Sequence, residues 1–380
     1  MKFDDQASGG MSAPENYAQS EATPKRARAV DPEQLFCSRP FKWFEISRKD
    51  EEGQVFACCP SWLDTPMGNL TRQSVQDVWN GPIAQDIRRS VLDGSFSYCN
   101  AQRCPHLQNI TEPVQRIKDV VDPMLLAAIH DGVTILPYGP RDINCSYDRS
   151  CNLSCPTCRH DIIMEHDRSE EILGIQKKIN DEALADAEFL YITGSGDPFG
   201  SPFFRKWLQT MKRSDMPRLE KIHLHSNGQL WTERTWNTIS PEVRQLIRSA
   251  DISIDASRPE TYAINRRGGE MARLLNNLEF IGSLRANGPL EWFGINMVVQ
   301  QNNYEQMAEF IDLGKRFHCD TVYFHQIVNW GTFSDKEFAE RAVHLPGHRE
   351  HQAFLDVLQN PALEDEIVFL GNLADLRRAA

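Results

Sequence analysis

The chain has 380 residues, of which 41% are hydrophobic and 25% charged, and its formal net charge is −12. This length favours two domains, and the composition is typical of a globular enzyme. The acidic charge argues against a large nucleic-acid interface, because phosphate contacts need clustered Lys and Arg. The sequence has no apolar run near the ~20 residues that cross a bilayer and no apolar signal-peptide core, so we expect a cytoplasmic protein without a membrane partner.

Residues 1–34 are predicted to form a disordered extension. The first thirty are rich in Ser, Ala, Glu, Gln, Pro and Gly and carry no apolar periodicity. Their short basic run, Lys25-Arg26-Ala27-Arg28, is interpreted as a solvated segment.

The first ordered unit, residues 35–108, is rich in cysteine. Helices are predicted near residues 74–80 and 82–92, because Ser74 suits an N-cap and Pro82 suits a first helical turn. In a large chain without an export signal, cysteines at loop spacings indicate metal ligands rather than disulfides. The spacing is Cys-x15-Gly-x4-Cys followed by a Cys-x4-Cys pair, formed by Cys37, Gly53, Cys58, Cys99 and Cys104.

This arrangement, with Val78-Trp79-Asn80 at a helix end, resembles a SPASM domain. SPASM domains carry auxiliary iron–sulfur clusters, but they usually follow a catalytic core and hold seven or more cysteines, whereas this unit comes first and has five. Spacing favours Cys58 over Cys59, although neighbouring thiols can exchange roles. A zinc-stapled unit on the same four thiols is the alternative. The resemblance implies one auxiliary [4Fe–4S] cluster on Cys37, Cys58, Cys99 and Cys104.

Residues 109–136 are predicted to be a helical connector. Their apolar positions recur at helical spacing. The face comprises Val114, Ile117, Val120, Val121 and Leu125.

From residue 137 to residue 330, strands alternate with helices, which predicts a parallel sheet. Six such units fit an α/β fold, an incomplete, TIM-like (β/α)6 barrel, and residues 331–380 form a helical tail. Cys145 is predicted to be buried in the first strand, and Cys319 to lie at the end of the barrel away from the chemistry. The predicted strands span residues 143–147, 189–192, 221–225, 251–255, 294–300 and 321–325.

The first strand of this unit leads into a loop with three cysteines, Cys151, Cys155 and Cys158. Parallel barrels place their chemistry on loops that follow strand carboxyl ends. A structural zinc site uses four protein ligands, and a four-iron cluster uses one thiolate per iron. Three thiolates leave one iron open, and S-adenosylmethionine (SAM) can chelate it through its amine and carboxylate.

Polar residues follow the next three strands. Glycines after the second strand let the backbone approach a ligand. At the fourth strand, Ser253 and Asp255 point to the same side. The residues at these positions are Ser195, Gly196 and Asp197 after the second strand, Ser226 and Asn227 after the third, and Ser253 in the fourth, and all six are candidates for binding a ligand.

The Cys-x3-Cys-x2-Cys loop and the Ser195-Gly-Asp-Pro198 run resemble the two signatures of the radical SAM superfamily. The residue before the third cysteine is Thr157, where the superfamily usually has an aromatic residue. The resemblance implies a [4Fe–4S] cluster on the three thiols, the glycine-rich loop on the SAM ammonium, Ser226 and Asn227 on the ribose, and Ser253 on the carboxylate. Reduced cluster and SAM would yield a 5′-deoxyadenosyl radical that abstracts hydrogen.

Several further roles stay open. Arg266 or Arg267 is a candidate to pair with the SAM carboxylate, and Gln300 is a weaker candidate. His223 and His225 share one strand face and are interpreted as structural, with a pocket role as the alternative.

We therefore predict a radical SAM enzyme with an auxiliary cluster, reduced by a flavodoxin or ferredoxin. An oxidation or crosslink is expected if the auxiliary cluster takes an electron from the substrate radical, and a redox-neutral outcome such as epimerisation if no electron leaves. A leader-binding domain of about eighty residues does not fit before Cys37, which favours a sugar or other small molecule over a peptide. The alternatives are an iron–sulfur electron carrier without catalysis and a zinc-stapled binding protein.

Overall fold

The structure is a computed structural model that describes residues 30–47, 50–192 and 195–379. Most of the extension predicted to be disordered, including its basic run at Lys25, Arg26 and Arg28, lies outside the described residues. Thr193 and Gly194, at the start of the glycine-rich loop, also lie outside them.

In the described part of the chain, ten strands form one sheet and two form a small antiparallel pair. The order in the large sheet is β12-β11-β10-β9-β8-β7-β6-β2-β3-β4, and β1 pairs with β5. The strands are β1 Leu35–Cys37, β2 Trp43–Ser47, β3 Gln54–Phe56, β4 Gly68–Asn69, β5 Val114–Arg116, β6 Asp142–Cys145, β7 Phe189–Ile192, β8 Lys221–Ser226, β9 Ile247–Ser253, β10 Trp292–Val299, β11 Thr321–Gln326 and β12 Val368–Phe369.

Helices fill most of the connections, and several begin at a proline, whose fixed φ suits the first helical turn. Short 3₁₀ turns cover Ile117–Asp119, Arg213–Asp215, Tyr304–Gln306, Pro361–Glu364 and Gly371–Leu373. The α-helices are α1 Arg39–Lys42, α2 Val75–Trp79, α3 Pro82–Leu92, α4 Pro105–Asn109, α5 Pro123–Asp131, α6 Ser169–Glu182, α7 Pro202–Thr210, α8 Glu233–Trp236, α9 Pro241–Leu246, α10 Pro259–Asn265, α11 Met271–Asn287, α12 Met307–Arg316, α13 Asp335–Arg341, α14 His351–Leu358 and α15 Ala374–Ala379.

The six predicted strands are present as β6 to β11, all parallel and adjacent in chain order. Connections between parallel strands are right-handed. Because these strands are adjacent in chain order, the connecting helices all lie on one face of the sheet. Alternate residues of the strands, such as Ile143, Leu190 and Ile222, are fully buried. The alternation leaves the other face, here called the concave face, to polar and aromatic side chains.

The N-terminal unit extends this sheet, which the sequence did not predict. Strand β2 pairs in parallel with β6, with Trp43 opposite Asp142 and Glu45 opposite Asn144, and β3 and β4 continue the sheet in antiparallel fashion. At the far edge β12, from the predicted helical tail, pairs with β11. The cysteine-rich unit is therefore joined to the barrel strands by backbone hydrogen bonds.

The predicted helical connector is only partly helical. Residues Val114–Arg116 form β5, which pairs with β1, and the only α-helix that begins in the segment is α5, Pro123–Asp131. Pro113 and Pro123 prevent one continuous helix, because proline lacks the N–H that a helix interior needs. Apolar residues at helical spacing were misleading here because the pairing with Leu35–Cys37 buries Val114 instead.

Arg88 of α3 connects three segments of the N-terminal unit. Its side chain is fully buried and donates hydrogen bonds to the carbonyl oxygens of Pro40 and Thr134 and to Asn80 Oδ1, at 2.9, 2.8 and 3.0 Å. Its guanidinium carbon lies 4.3 Å from the centre of the Trp79 ring. A buried cation held by carbonyl oxygens and an aromatic face is costly to remove, because the acceptors would stay buried without donors.

Replacing Arg88 with Met should therefore destabilise the protein by about 3 kcal/mol. The matched control is Arg89→Met on the same helix, whose guanidinium pairs with Asp86 at the surface; this change should stay within about 0.5 kcal/mol. Urea unfolding followed by circular dichroism measures both. Equal losses in the two variants would contradict the role given to Arg88.

Candidate functional site

The three clustered cysteines line one pocket at the carboxyl ends of the parallel strands. Eight further residues share its lining, and they come from five different segments of the chain. Five of the predicted SAM residues are among them. The eight are Arg159, Ser195, Gly196, His225, Ser226, Asn227, Ser253 and Arg266.

Each of the three thiols has a nitrogen donor from the pocket wall. Asn227 Nδ2 lies 3.5 Å from Cys151 Sγ, and Arg266 Nη1 lies 3.8 Å from Cys155 Sγ. Arg159 Nη2 lies 3.3 Å from Cys158 Sγ. Donors of this kind suit thiolates, so the residues present fit a cluster held by three cysteines.

Burial affects the chemistry of these thiols. It raises the pKa of Cys151 to about 12, against a smaller opposing effect of the Arg159 charge. Burial also raises the pKa of Cys155, while Arg266 lowers it. A thiol in such a place ionises when a metal binds it, because a coordinating thiol is deprotonated by the metal.

Gly196 lets the glycine-rich loop lie directly on the cysteine loop. A Cβ at this position would be 2.4 Å from the carbonyl oxygen of Asp148 and 2.7 Å from that of Ser150. The next residue continues the contact, since the Asp197 amide donates to the Ser150 carbonyl at 3.0 Å. Only glycine permits this approach of two backbones.

Asp197 is the one predicted SAM residue that does not line the pocket. It is buried, and its Oδ1 accepts hydrogen bonds from the amides of Phe199 and Gly200, at 2.9 and 2.7 Å. Its Oδ2 accepts from Ser226 Oγ and the Asn227 amide, both at 2.8 Å. The carboxylate therefore positions Ser226 and Asn227 from behind.

Ser253 is hydrogen-bonded to His225, one of the two histidines for which the sequence favours a structural role. His225 Nε2 and Ser253 Oγ are 2.7 Å apart, and both residues line the pocket. His223 lies two residues earlier on the same strand face and hydrogen-bonds Ser249 Oγ at 2.9 Å. The structure thus separates the two histidines, placing His225 in the pocket and His223 deeper on the concave face.

Arg266 and Arg267 are separated in the same way. Arg266 lines the pocket and forms an ion pair with the buried Asp255 at 2.8 Å. Arg267 instead donates to Ser154 Oγ at 3.0 Å and to the carbonyl of His160.

Asp255 has a φ of +60°, a conformation uncommon outside glycine, and its Oδ1 accepts from the Val298 amide at 2.7 Å.

Sequence reasoning missed Arg159 and left Gln300 open. Arg159 donates to the carbonyl oxygens of Arg149, at 2.6 Å, and of Ser195, so it ties the cysteine loop to the glycine-rich loop. Its position directly after the third cysteine was the available signal. Gln300 lies outside the pocket lining and accepts from Arg341 at 3.3 Å.

A second cavity contains the other four predicted ligands. Cys37, Cys58, Cys99 and Cys104 all line it, and Cys59 does not. Burial raises the pKa of Cys58 to about 11 and that of Cys99 to about 12. The proximity of the thiols adds to this effect, because the charge of Cys58 raises the pKa of Cys99. The four thiols and their enclosure fit one cluster, and Cys58 rather than Cys59 is the thiol that lines the cavity.

Two other residues of this cavity bear on its charge. Trp62 Nε1 donates a hydrogen bond to Cys58 Sγ at 3.1 Å, and Arg39 also lines the cavity. The Arg39 charge lowers the pKa of Cys58 against the larger effect of burial. Hydrogen bonds and cations at cluster sulfurs are the means by which proteins adjust these sites.

Within residues 30–47, 50–192 and 195–379, no three His, Cys, Asp or Glu side chains converge on a position for a single metal ion. A cluster asks for a different arrangement, because each of its thiolates binds a separate iron. Among the same residues, no helix is long and apolar enough to cross a membrane.

Residues 37–105 match the family SPASM, an iron–sulfur cluster-binding domain. The resemblance predicted for the N-terminal unit is confirmed. The chain therefore carries a SPASM iron–sulfur domain joined to a parallel α/β sheet.

No curated protein sequence matches this chain. Among solved structures, SuiB of Streptococcus suis is 15% identical, with 90% of this chain and 72% of SuiB covered and a TM-score of 0.42. The structure of SuiB bound to precursor peptide SuiA is 14% identical, with 69% of this chain and 56% of the SuiB chain covered and a TM-score of 0.37. The match therefore spans about half of that SuiB chain. The radical S-adenosylmethionine methyltransferase TsrM of Kitasatospora setae is 12% identical, with 47% and 35% covered and a TM-score of 0.36.

Replacing Gly196 with Ala should separate the two loops, since the new Cβ would meet backbone oxygens. We expect a loss of about 2 kcal/mol in stability and at least tenfold weaker SAM binding, measured by equilibrium dialysis. In the control, Gly174→Ala, the new Cβ meets nothing within 4 Å, and the change should stabilise α6 by about 0.5 kcal/mol. Unchanged SAM binding in Gly196→Ala would refute the importance of this loop contact.

The Cys58 and Cys59 pair gives a test of the auxiliary site. With two clusters, the anaerobically purified protein should contain about eight irons per chain. Cys58→Ala should lower this to about four, whereas Cys59→Ala should leave it unchanged. Iron analysis and visible absorbance measure both. Iron loss in the Cys59 variant alone would reverse the assignment.

Proposed function

We propose that this chain is a radical SAM enzyme with an auxiliary cluster in its SPASM domain. The observation that carries the proposal is the pocket in which three cysteines meet five residues predicted from the SAM signatures. A reduced [4Fe–4S] cluster held by these cysteines would supply the electron for reductive cleavage of SAM, and the resulting 5′-deoxyadenosyl radical would abstract hydrogen from an unactivated C–H bond. The protein supplies binding, orientation and exclusion of water.

Most pocket residues then have a role. Cys151, Cys155 and Cys158 would hold the cluster. The other assignments are Ser195 and Gly196 at the SAM ammonium, Ser226 and Asn227 at the ribose, and Ser253 and Arg266 at the carboxylate.

Residues behind the pocket keep these groups in place. Asp197 orients Ser226 and the Asn227 backbone, and His225 orients the Ser253 hydroxyl. Asp255 neutralises Arg266, so the guanidinium lies beside Cys155 without an unpaired buried charge. Preorganised donors of this kind cost no rearrangement when the ligand binds.

The auxiliary cavity supports an oxidative outcome. A cluster on Cys37, Cys58, Cys99 and Cys104 would lie in the domain whose strand β2 continues the barrel sheet. Such a cluster would accept one electron from the substrate radical that hydrogen abstraction leaves, so the net reaction would be an oxidation or a crosslink; without that transfer it would be redox-neutral, as in an epimerisation. The external reductant is proposed to be a flavodoxin or ferredoxin, and the substrate a small molecule, including sugars, or a peptide.

The test is anaerobic purification followed by reduction in the presence of SAM. Wild-type protein should be brown and form 5′-deoxyadenosine, measured by liquid chromatography. Cys155→Ala should abolish this product, because one of three cluster ligands is lost. The control Cys145→Ala should retain it, since Cys145 is buried in β6 outside the pocket.

Two outcomes favour other functions. Iron without SAM cleavage in the wild-type protein favours an electron carrier. Colourless protein that contains zinc favours a zinc-stapled binding protein.

A further inference from the structure

The concave face carries a row of side chains that the proposed SAM site does not use. Tyr191, His223, Ser249 and Trp292 lie opposite one another on four adjacent strands. The Tyr191 and His223 rings are 5.6 Å apart, and the His223 and Trp292 rings are 6.1 Å apart. The three rings are half-buried, so they form a partly accessible aromatic floor.

The Trp292 indole is folded along its own strand. A Cβ on Gly294 would lie 2.5 Å from Trp292 Cη2, so the ring occupies the space above Gly294. Gly294 is the cross-strand partner of Asp251. The indole and the Asp251 carboxyl group are therefore neighbours on the concave face.

Asp251 also adjoins the SAM pocket. Its partner on the other side is His225, which lines that pocket. Asp251 Oδ1 accepts a hydrogen bond from Asn296 Nδ2 at 3.0 Å. Among the residues that the structure describes, we find no hydrogen bond to its Oδ2, and the residue is half-buried.

The charges around Asp251 favour a cationic ligand. Burial lowers the pKa of His223 to about 4. Burial also lowers the pKa of His325. Both rings are therefore neutral at pH 7. Arg266 is paired with Asp255. Other cations lie toward the far end of this face: Lys221 begins β8, Arg39 stacks on Trp43 at 3.8 Å, and Lys42, near Asp142, forms an ion pair with Asp122 at 3.1 Å.

Two more acids lie on the same face. Glu45 and Asp142 are half-buried, and burial raises the pKa of both. A phosphate or carboxylate entering this space would meet acidic groups and a polarisable ring face. An ammonium group would gain a carboxylate partner and a cation–π contact.

We propose that Asp251 and the face of Trp292 bind a protonated amine of the substrate beside the SAM pocket. This inference rests on the proposed function, because the SAM pocket is what makes the neighbouring group a substrate. The amine can belong to an amino sugar or to a lysine side chain. Both present an ammonium next to C–H groups that pack on an aromatic ring.

The test uses two matched pairs of probes on the anaerobically purified protein. Glucosamine is compared with glucose, and N-acetyl-lysine amide with N-acetyl-norleucine amide. Isothermal titration calorimetry at pH 7 measures binding in the presence of SAM. In at least one pair the amine should bind about tenfold more tightly than its neutral partner, and the pair that responds identifies the source of the amine.

Variants separate the two contacts. Asp251→Asn should erase the preference for the amine, and Trp292→Leu should weaken binding of the preferred probe about tenfold. The controls are Asp312→Asn, on the exposed side of α12, and Trp330→Leu, whose side chain is 69% exposed. Both controls should bind the probes as the wild type does. Thermal unfolding of each variant monitors its folding.

Absence of amine preference in the wild-type protein, in both pairs, overturns the inference without reference to any variant. A preference that survives Asp251→Asn also overturns it. SAM cleavage is measured on the same preparations. The failure of the amine site can therefore be distinguished from the failure of the proposed radical SAM function. If the protein prefers the amine but does not cleave SAM, the proposed function is wrong and the amine site stands. If it cleaves SAM but shows no amine preference, the amine site is wrong and the proposed function stands.

Discussion

The pocket depends on the close approach of two backbone loops and on one buried carboxylate beneath them. Gly196 allows the glycine-rich loop to touch the carbonyl oxygens of the cysteine loop. Asp197 accepts four hydrogen bonds, two from the loop after β7 and two from the end of β8 and the residue that follows it. A Cβ at residue 196 would force the two loops apart. The cysteines and the polar strand ends would then no longer face one space.

A second constraint joins the two parts of the molecule. Because β2 pairs with β6, the SPASM domain and the barrel strands share one hydrogen-bonded sheet. Rigid pairing of this kind fixes the orientation of the cysteine cavity relative to the concave face. It also places Trp43 of β2 against Tyr191 of β7, with ring centres 5.1 Å apart, so the aromatic floor continues into the N-terminal domain.

The barrel strands were predictable because apolar residues alternate with polar or aromatic ones between polar turns, and the loops after several of them carry cysteine, glycine or serine. The connector was not, since Val114 and Ile117 show helical spacing while proline and pairing with β1 make the segment extended. The role of Asp197 was also unpredictable. A carboxylate within a ligand signature has the same sequence context whether it touches the ligand or supports its neighbours.

Sequence alone was enough to find the candidate ligands and their spacing: three thiols on one loop, four more in the N-terminal unit, and a parallel sheet whose strand ends carry polar residues. These follow from local periodicity and from the ligand count of metal sites. The folded structure adds which of two neighbouring candidates lines a cavity: Cys58, Arg266 and His225 do, whereas Cys59, Arg267 and His223 do not. Each pair occupies neighbouring or alternate positions along the chain, and the member that faces a cavity is set by strand register and loop packing, which no single stretch of sequence contains.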